Sequence, residues 1–363
     1  MSRSIGGTVW RDRGFRGYDT VYLLAPLRED VLRALPAAAA ATARSEGLRP
    51  LPDAAPARLD AGVSDLALIA AARAAGRPLS VVVAGDRVAV HLPHELADGV
   101  EGTRIVASLL ELAAGGRPQQ PARSARYPLL MALRSGGRPA LLRYLAGRRE
   151  RRELPHPGEP RDRTDGRFAR ITLDAADVAA LRRTASPGGR ATPMSRVASV
   201  ALAALADIAP RTADARVVLP VDLRPLLDGR RVAGNFVSAE AYGTLRTTDW
   251  TPANVNRLLA ARRGTGAVAL AAGSARSLLR RSGGGPVPSV SVSLMGPIEL
   301  PDVWAGGPAS LGCATVGQAS GVFVFVAQVR DGITVSVWDD TGIFDVEAFG
   351  TAFRDEIVRR TPA

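Results

Sequence analysis

Cysteine, lysine and long apolar runs are scarce or missing in this chain of 363 residues. Its single cysteine, Cys313, excludes an internal disulfide and is typical of a reducing compartment. No apolar run reaches the roughly 18 residues that a membrane span needs, and residues 1–16 lack the apolar core of a signal peptide. The sequence therefore predicts a cytoplasmic protein without a membrane span.

Aromatic residues are also few, at 5%, and the basic charge is carried by arginine alone. The 47 basic residues include no lysine and exceed the 35 acidic residues, which gives a formal net charge of +12. This charge is compatible with nucleic-acid binding, but no recognisable nucleic-acid module accompanies it, so we predict no nucleic-acid partner. Arginine-only usage beside abundant Ala, Gly and Pro indicates a GC-rich coding sequence. The charge still favours acidic partners in general.

The most informative stretch is 79–99, which predicts a β-hairpin followed by a polar loop. The β-branched runs 81–83 and 88–90 are separated by Gly85-Asp86, a strong hairpin signal. Pro93 ends the second strand because proline cannot donate to a sheet ladder. A helix is expected at 103–114. Between strand and helix, the loop carries His94, Glu95, Asp98 and Gly99.

A histidine at the mouth of a hairpin, with a carboxylate four residues on, suggests base chemistry. Imidazole titrates near neutrality, so a positioned His94 can take a proton from a hydroxyl or an amine. One alternative is a capping or core histidine. Another is zinc, since H-E-x-x-D differs at one position from H-E-x-x-H. That motif should be helical, and only His91 and His156 remain as further imidazoles, so we predict no metal.

The segment H-E-L-A-D-G at 94–99 resembles the H-x-x-x-D-G core of the HHxxxDG acyltransferase superfamily. That superfamily includes condensation domains, wax ester synthases, polyketide-associated acyltransferases and, more distantly, chloramphenicol acetyltransferase. The resemblance implies that His94 is the catalytic base, Asp98 the structural aspartate and Gly99 the glycine of the motif. Pro93 departs from the pattern, because it stands where the family usually has a first histidine.

Two later segments also resemble the superfamily. V-V-L-P-V-D-L-R-P followed by V-A-G-N-F-V resembles its D-L-R and G-N region, which implies that Arg224, beside Asp222, clamps Asp98. Such a charge-assisted pair would hold the histidine loop in shape. S-V-S-V-S-L-M-G-P resembles its S-N-x-G strand, with Leu294 where asparagine is common. The channel or oxyanion candidates implied by these segments are Ser291, Ser293 and Asn235.

The resemblance implies an α/β fold of two chloramphenicol-acetyltransferase-like half-domains in a V, with the active-site channel between them. The expected boundaries are 1–116 for the first half-domain, 117–166 for a basic, Pro-rich linker and 167–363 for the second half-domain. The R-R-E-R-R run at 148–152 within the linker is either a solvated face or a docking patch for an acidic carrier. The alternation of strand and helix in both halves agrees with this fold class.

The function implied is transfer of an acyl group from a thioester to an alcohol or amine acceptor, in secondary-metabolite biosynthesis. The donor would be the phosphopantetheine arm of coenzyme A or of an acyl carrier protein, and no resident cofactor is expected. Pro93 and the short first half motivate an alternative. It is a catalytically silent, condensation-like protein that binds a carrier protein or pathway partner.

Overall fold

The computed structural model describes the chain in segments, within which two β-sheets carry helices on their faces. No helix among these residues is long and apolar enough to cross a membrane. The described residues are 18–48, 57–75, 78–118, 130–135, 142, 166–184, 191–209, 215–227, 236–246, 248–259, 265–268, 289–317 and 321–361.

Strands and helices alternate through most of the described chain. The strands are β1 (Asp19–Ala25), β2 (Ala57–Leu59), β3 (Ser80–Ala84), β4 (Arg87–Pro93), β5 (Arg167–Leu173), β6 (Arg216–Asp222), β7 (Val237–Thr244), β8 (Ser289–Ile298), β9 (Ser310–Val316), β10 (Gly321–Val329) and β11 (Gly332–Asp339). The helices are α1 (Glu29–Ser45), α2 (Asp65–Ala74), α3 (Gly99–Ala113), α4 (Ala175–Arg183), α5 (Pro193–Ile208) and α6 (Phe349–Arg360), and a 3₁₀ turn spans Arg224–Leu227.

The first sheet has the strand order β2-β3-β4-β1-β9. The predicted hairpin at its centre is confirmed, because β3 and β4 pair antiparallel around the turn at Gly85 and Asp86. Gly85 has a φ of +61°, and a Cβ there would meet the side chain of Ala61, so this turn requires glycine. Helices α1, α2 and α3 cover the sheet and contribute Leu35, Leu68 and Leu109 to a first core.

The helix that follows the hairpin starts earlier than the sequence predicts. We expected it at 103–114 with Asp98 and Gly99 in a loop, but α3 begins at Gly99 and Asp98 is its N-cap. The Asp98 side chain accepts a hydrogen bond from the Glu101 amide at 3.0 Å, as expected of an N-cap aspartate. The two glycines of this first turn lower helix propensity and hide its start from a periodicity argument.

The second sheet has the order β5-β11-β10-β8-β6-β7. One face packs on α4, α5 and α6 around a second core that includes Val292, Val324 and Phe353. Asp174 and Thr192 are the N-caps of α4 and α5, since they accept hydrogen bonds from the amides three residues on. The opposite face turns toward the first core, where the ring of Phe325 stands edge-on to Tyr22 at 6.4 Å.

Strand β9 crosses the expected half-domain boundary. It lies after residue 167 in the chain, yet it pairs with β1 and so forms an edge of the first sheet. Its outer side is satisfied by hydroxyls of β11: the Cys313 amide donates to Ser336 Oγ at 2.9 Å, and Ser336 Oγ donates back to the Cys313 carbonyl. A strand from the expected second half-domain therefore completes the first sheet. The Ser336 hydroxyl joins this strand to the second sheet.

The observed architecture confirms the predicted α/β fold class with two sheets. Most of the expected linker, including the R-R-E-R-R run and His156, lies outside the described residues, although 130–135 are helical. The V-shaped arrangement with a channel stays a prediction.

Candidate functional site

The histidine loop is fixed by the backbone at the end of β4. The His94 amide donates to the Tyr18 carbonyl at 2.8 Å, and the Leu96 amide donates to the Pro93 carbonyl at 3.0 Å. Residues 94–96 therefore form a tight turn between the end of β4 and the start of α3. His94 as a whole is half-buried, and its Nδ1 atom is shielded from solvent. The imidazole thus sits on a constrained turn and is partly accessible.

Asp98 is buried and hydrogen-bonded on both oxygens. Its Oδ1 accepts the Glu101 amide, and its Oδ2 accepts the Phe236 amide at 2.7 Å. Nη2 of Arg224 lies 3.1 Å from Oδ1 and 3.0 Å from Oδ2. Only 1% of the Asp98 side chain is exposed, so its charge depends on these donors in place of water.

Arg224 reaches Asp98 from the second half of the chain. The structure therefore brings together the pair that the resemblance implied. A second anion, Asp222, accepts hydrogen bonds from the Arg224 amide at 3.1 Å and from Nη1 at 2.9 Å. Burial lowers the pKa of the Arg224 guanidinium, but the charges of Asp98 and Asp222 outweigh this effect, so its pKa lies above the ordinary value. The guanidinium is thus a fixed cation between two carboxylates.

Asp222 responds to burial in the opposite way. Its burial raises the pKa of the carboxyl more than the nearby Arg224 lowers it, and the negative charge of Asp98 adds to the rise. The pKa of Asp222 therefore lies above its ordinary value. Since the buried Asp98 accepts from two amides besides Arg224, we assign the main structural role to Asp98 and a supporting one to Asp222.

Gly99 marks a close approach between α3 and β8. A Cβ at this position would lie 3.3 Å from Met295 Sδ and 3.7 Å from Ser293 Oγ. A Cβ at the first residue of α3 would therefore require Met295 to shift slightly, which is a packing reason for glycine. This approach places Ser293 beside the first turn of α3, next to the histidine loop.

The serines of β8 share the strand face that points away from the second core. Val290 and Val292 are buried in that core, whereas Ser291 and Ser293 alternate with them and are half-buried. Leu294, at the position where the family has asparagine, packs partly against the second core. Of the two serines, Ser293 is the one that Gly99 brings to the loop.

Asn235 lies outside the described residues, but its neighbour Phe236 proves important. The Phe236 amide donates to Asp98, and the Phe236 carbonyl accepts from the Leu223 amide at 3.1 Å. Phe236 thus ties Asp98 to the D-L-R segment through main-chain atoms. The contact between the Phe236 amide and Asp98 could not be predicted from the sequence, because every residue except proline has a main-chain amide. The proximity of G-N-F to D-L-R in the chain was the available clue.

The zinc alternative does not fit the observed geometry. His94 and Glu95 lie in a turn ahead of α3, so H-E-x-x-D does not occupy one helix. Both oxygens of Asp98 already accept hydrogen bonds from Arg224 or from main-chain amides. Among the described residues, no group of three His, Cys, Asp or Glu side chains is placed to hold a metal ion.

The two sheets and their helices have the fold of solved condensation domains. Solved structures of condensation and related domains match nearly the whole chain at 13–16% sequence identity. At such identities the likeness establishes the fold. No protein-family model matches the chain, and no curated protein matches it in sequence.

Three particular structures illustrate the likeness. Polyketide synthase associated protein 5 from Mycobacterium tuberculosis is 16% identical with a TM-score of 0.58, covering 96% of both chains. The starter condensation domain of rhizomide synthetase, a mutant in complex with C8-CoA, is 15% identical with a TM-score of 0.57, covering 95% of this chain and 90% of that one. The epimerization domain from the third module of tyrocidine synthetase B is 15% identical with a TM-score of 0.55, covering 96% and 92%.

Proposed function

We propose that this protein transfers an acyl group from a thioester to a hydroxyl or amine acceptor, with His94 as the general base. His94 removes the proton of the acceptor, and the resulting nucleophile attacks the thioester carbonyl. The tetrahedral intermediate collapses with cleavage of the carbon–sulfur bond, and the leaving thiolate takes the proton back from His94. An ester or amide and a free thiol result, so atoms and charge balance.

The observation that carries this proposal is the buried Asp98–Arg224 ion pair at the start of α3, which we infer holds the His94 turn in place. Arg224 lies in the second half of the chain and Asp98 at the start of α3, four residues after His94. A histidine that only capped a strand would not require a buried ion pair beside it. Preorganised placement of a base is what bimolecular proton transfer and acyl transfer need.

Stabilisation of the oxyanion is assigned to Ser293, with Ser291 as the second candidate. Ser293 Oγ lies beside the first turn of α3, where main-chain amides also point outward. A hydroxyl or amide aimed at the developing negative charge typically contributes about 10² to 10³ in rate.

The proposed donor is a phosphopantetheine thioester, carried by coenzyme A or by an acyl carrier protein. Two observations support an acidic donor of this class. The chain carries a net charge of +12. A structurally similar domain, the starter condensation domain of rhizomide synthetase, was crystallised in complex with C8-CoA. The acceptor class follows from the base: His94 can deprotonate an alcohol or an amine.

The experiment compares a panel of acyl-coenzyme A donors with the same acyl groups loaded on carrier proteins. Free thiol is followed with and without added alcohols and amines, for the wild type and His94→Gln, which keeps similar bulk but has no base. Thiol release that requires an acceptor and disappears in His94→Gln supports the proposal and identifies the donor class. Release in both proteins would remove His94 from the chemistry.

The second outcome concerns the catalytically silent alternative, a condensation-like protein that binds a carrier protein. The departure at Pro93, the last residue of β4, is the feature that favours it. Folded protein that releases no thiol from any donor, yet retains acyl carrier protein in a pulldown, would replace the enzyme proposal with this one.

A further inference from the structure

A second histidine, which the proposed chemistry does not use, lies three residues before His94. His91 is in the middle strand of a three-strand unit, with β1 on one side and β3 on the other. It is 4% exposed, its Nε2 lies 2.9 Å from Asp19 Oδ1, and its Nδ1 lies 3.3 Å from Ser80 Oγ. A buried histidine with a polar partner on each ring nitrogen is locked in orientation.

The Ser80–His91–Asp19 order is that of a hydrolytic triad, but the contacts exclude a nucleophile. Ser80 Oγ donates its proton to the Ala72 carbonyl at 2.6 Å, and the residue is 4% exposed. A nucleophilic hydroxyl must instead give its proton to the base and face the substrate. The trio is therefore a structural link between strands β3, β4 and β1.

The carboxylate of this link is itself fixed. Asp19 Oδ2 accepts from Arg73 Nε at 3.1 Å, on helix α2. Burial alone would raise the pKa of Asp19, but hydrogen bonds and charges from His91 and Arg73 outweigh it, so its pKa lies below the ordinary value. Asp19 is therefore an anion over the neutral range, and His91 Nε2 is the donor to it.

The Ser80–His91–Asp19 link lies at the point where the number of strands paired with β4 falls from two to one. Strand β3 begins at Ser80, which is paired with His91, so within the described part of the chain residues from Leu92 onward have only β1 as a neighbouring strand. Pro93 has no N–H and cannot add a main-chain bond on the open side. The next bond along the chain is the one from the His94 amide to the Tyr18 carbonyl. His94 therefore follows the part of β4 that is paired with β1 on one side only.

We propose that Asp19 and His91 are positioning residues for His94. The side-chain bond joins the first residue of β1 to β4 directly beside the Tyr18–His94 main-chain bond, and Ser80 and Arg73 hold the two partners. Loss of the pair leaves the end of β4 free to separate from β1, which displaces the His94 turn. The importance of this positioning for catalysis rests on the proposed acyl transfer. The positioning of the His94 turn by Asp19 and His91 is independent of that function.

The test is amide hydrogen exchange by NMR on the full chain. His91→Leu removes the hydrogen bond to Asp19 and the contact with Ser80, and we expect the His94 amide to exchange about tenfold to hundredfold faster, as loss of a hydrogen bond to a charged group predicts. Amides of Val88 and Val90, at the two-sided part of β4, should change little. His91→Gln keeps a donor for Asp19 and should restore part of the protection.

A matched control is Asp65→Asn, because Asp65 is also a partly exposed carboxylate paired with an arginine against β4. Its partners are Arg87 at the opposite end of the strand, with Nη1 3.0 Å from Asp65 Oδ1, and Arg170 of β5, with Nη2 2.9 Å from Asp65 Oδ2. This variant should lower overall stability without selective exchange at His94. If His91→Leu does not fold, Asp19→Asn, which is isosteric, gives the same reading.

The outcomes separate the positioning proposal from the proposed function. Equal His94 exchange in wild type and the His91 or Asp19 variants, or acceleration spread evenly over β4, overturns the positioning proposal. Selective acceleration supports it, even in a protein that releases no thiol. Where wild type does release thiol in a His94-dependent way, His91→Leu should lower kcat with little change in KM, and His91→Gln should recover part of it.

Discussion

Arg224 and Asp98 are joined across the two halves of the chain, with Nη2 of the arginine within 3.1 Å of both carboxylate oxygens. The side chain of Asp98 is 1% exposed and that of Arg224 is 13% exposed. The same carboxylate caps α3 and accepts the amide of Phe236. One anion, four residues after His94, therefore ties the start of α3 to Arg224 and Phe236 in the second half of the chain.

Arg224→Ala should destabilise the fold strongly, because it leaves Asp98 buried without its counter-charge. Breaking a buried ion pair from one side typically costs about 3–5 kcal/mol. Urea unfolding, compared with the wild type, measures this loss. Arg224→Lys is the matched control: it keeps the charge and should recover part of the stability. A change below about 1 kcal/mol in Arg224→Ala would contradict the assigned role.

Gly99→Ala should be tolerated poorly, and the reason should be Met295. The new Cβ would lie 3.3 Å from Met295 Sδ, so the flexible methionine has to shift. We expect a modest loss of stability, about 1–3 kcal/mol, that Met295→Ala in the same chain partly reverses. Thermal unfolding of the single and double variants forms a cycle. Strict additivity of the two effects would show that this contact is not the cause.

Acid stability should depend on Asp19 and Asp222 with opposite signs. The pKa of Asp19 is below its ordinary value, so its contribution is present above that value and is lost as pH falls through the folded-state pKa. The pKa of Asp222 is above its ordinary value, so its contribution is largest at low pH and is lost as pH rises through the folded-state pKa.

The two Asp→Asn variants test this difference. Asp19→Asn should lose stability relative to wild type at neutral pH and converge with it on acidification. Asp222→Asn should differ least from wild type below the ordinary carboxyl range, and its stability should lack the decline that wild type shows as pH rises through the folded-state pKa. Urea unfolding from pH 3 to 7 gives both curves, and curves that shift in the same direction would contradict the assignment.

The central hairpin and the caps of two helices could be predicted from the sequence because their signals are local. The turn at Gly85 lies between two apolar runs. Asp174 and Thr192 are residue types favoured at N-caps. Each of these signals is a short-range pattern. Arg224 and Asp98 could be paired only through the resemblance, since nothing local links residues 126 positions apart. The general α/β class followed from the alternation of elements.

Other features could not be predicted because they depend on tertiary placement. The sequence of β9 is that of any buried strand, and it joins the first sheet by pairing with β1 while the hydroxyls of Thr334 and Ser336 accept from amides on its outer side. Phe236 binds Asp98 through its main-chain amide, so its side-chain type gives no indication of the contact. His91 could be read as a core histidine, but its partner Asp19 lies 72 residues away, and only the register of β1 with β4 brings them together.

Ser293→Ala should lower kcat about 10² to 10³-fold if its hydroxyl stabilises the oxyanion, with little change in KM. Ser291→Ala is the matched control, being the same residue on the same strand face two positions earlier. We expect a smaller effect there, because Gly99 brings only Ser293 to the first turn of α3. Steady-state kinetics with the best donor measures both. Equal losses in the two variants would assign the effect to the strand face in general.

The most direct test of the account is acceptor-dependent thiol release by wild type and His94→Ala under identical conditions, with folding of both checked by circular dichroism. A positioned general base contributes about 10² to 10⁴ in rate, so the variant should fall by that factor while remaining folded. A folded His94→Ala protein that releases thiol at the wild-type rate would contradict the assignment of His94 as the base.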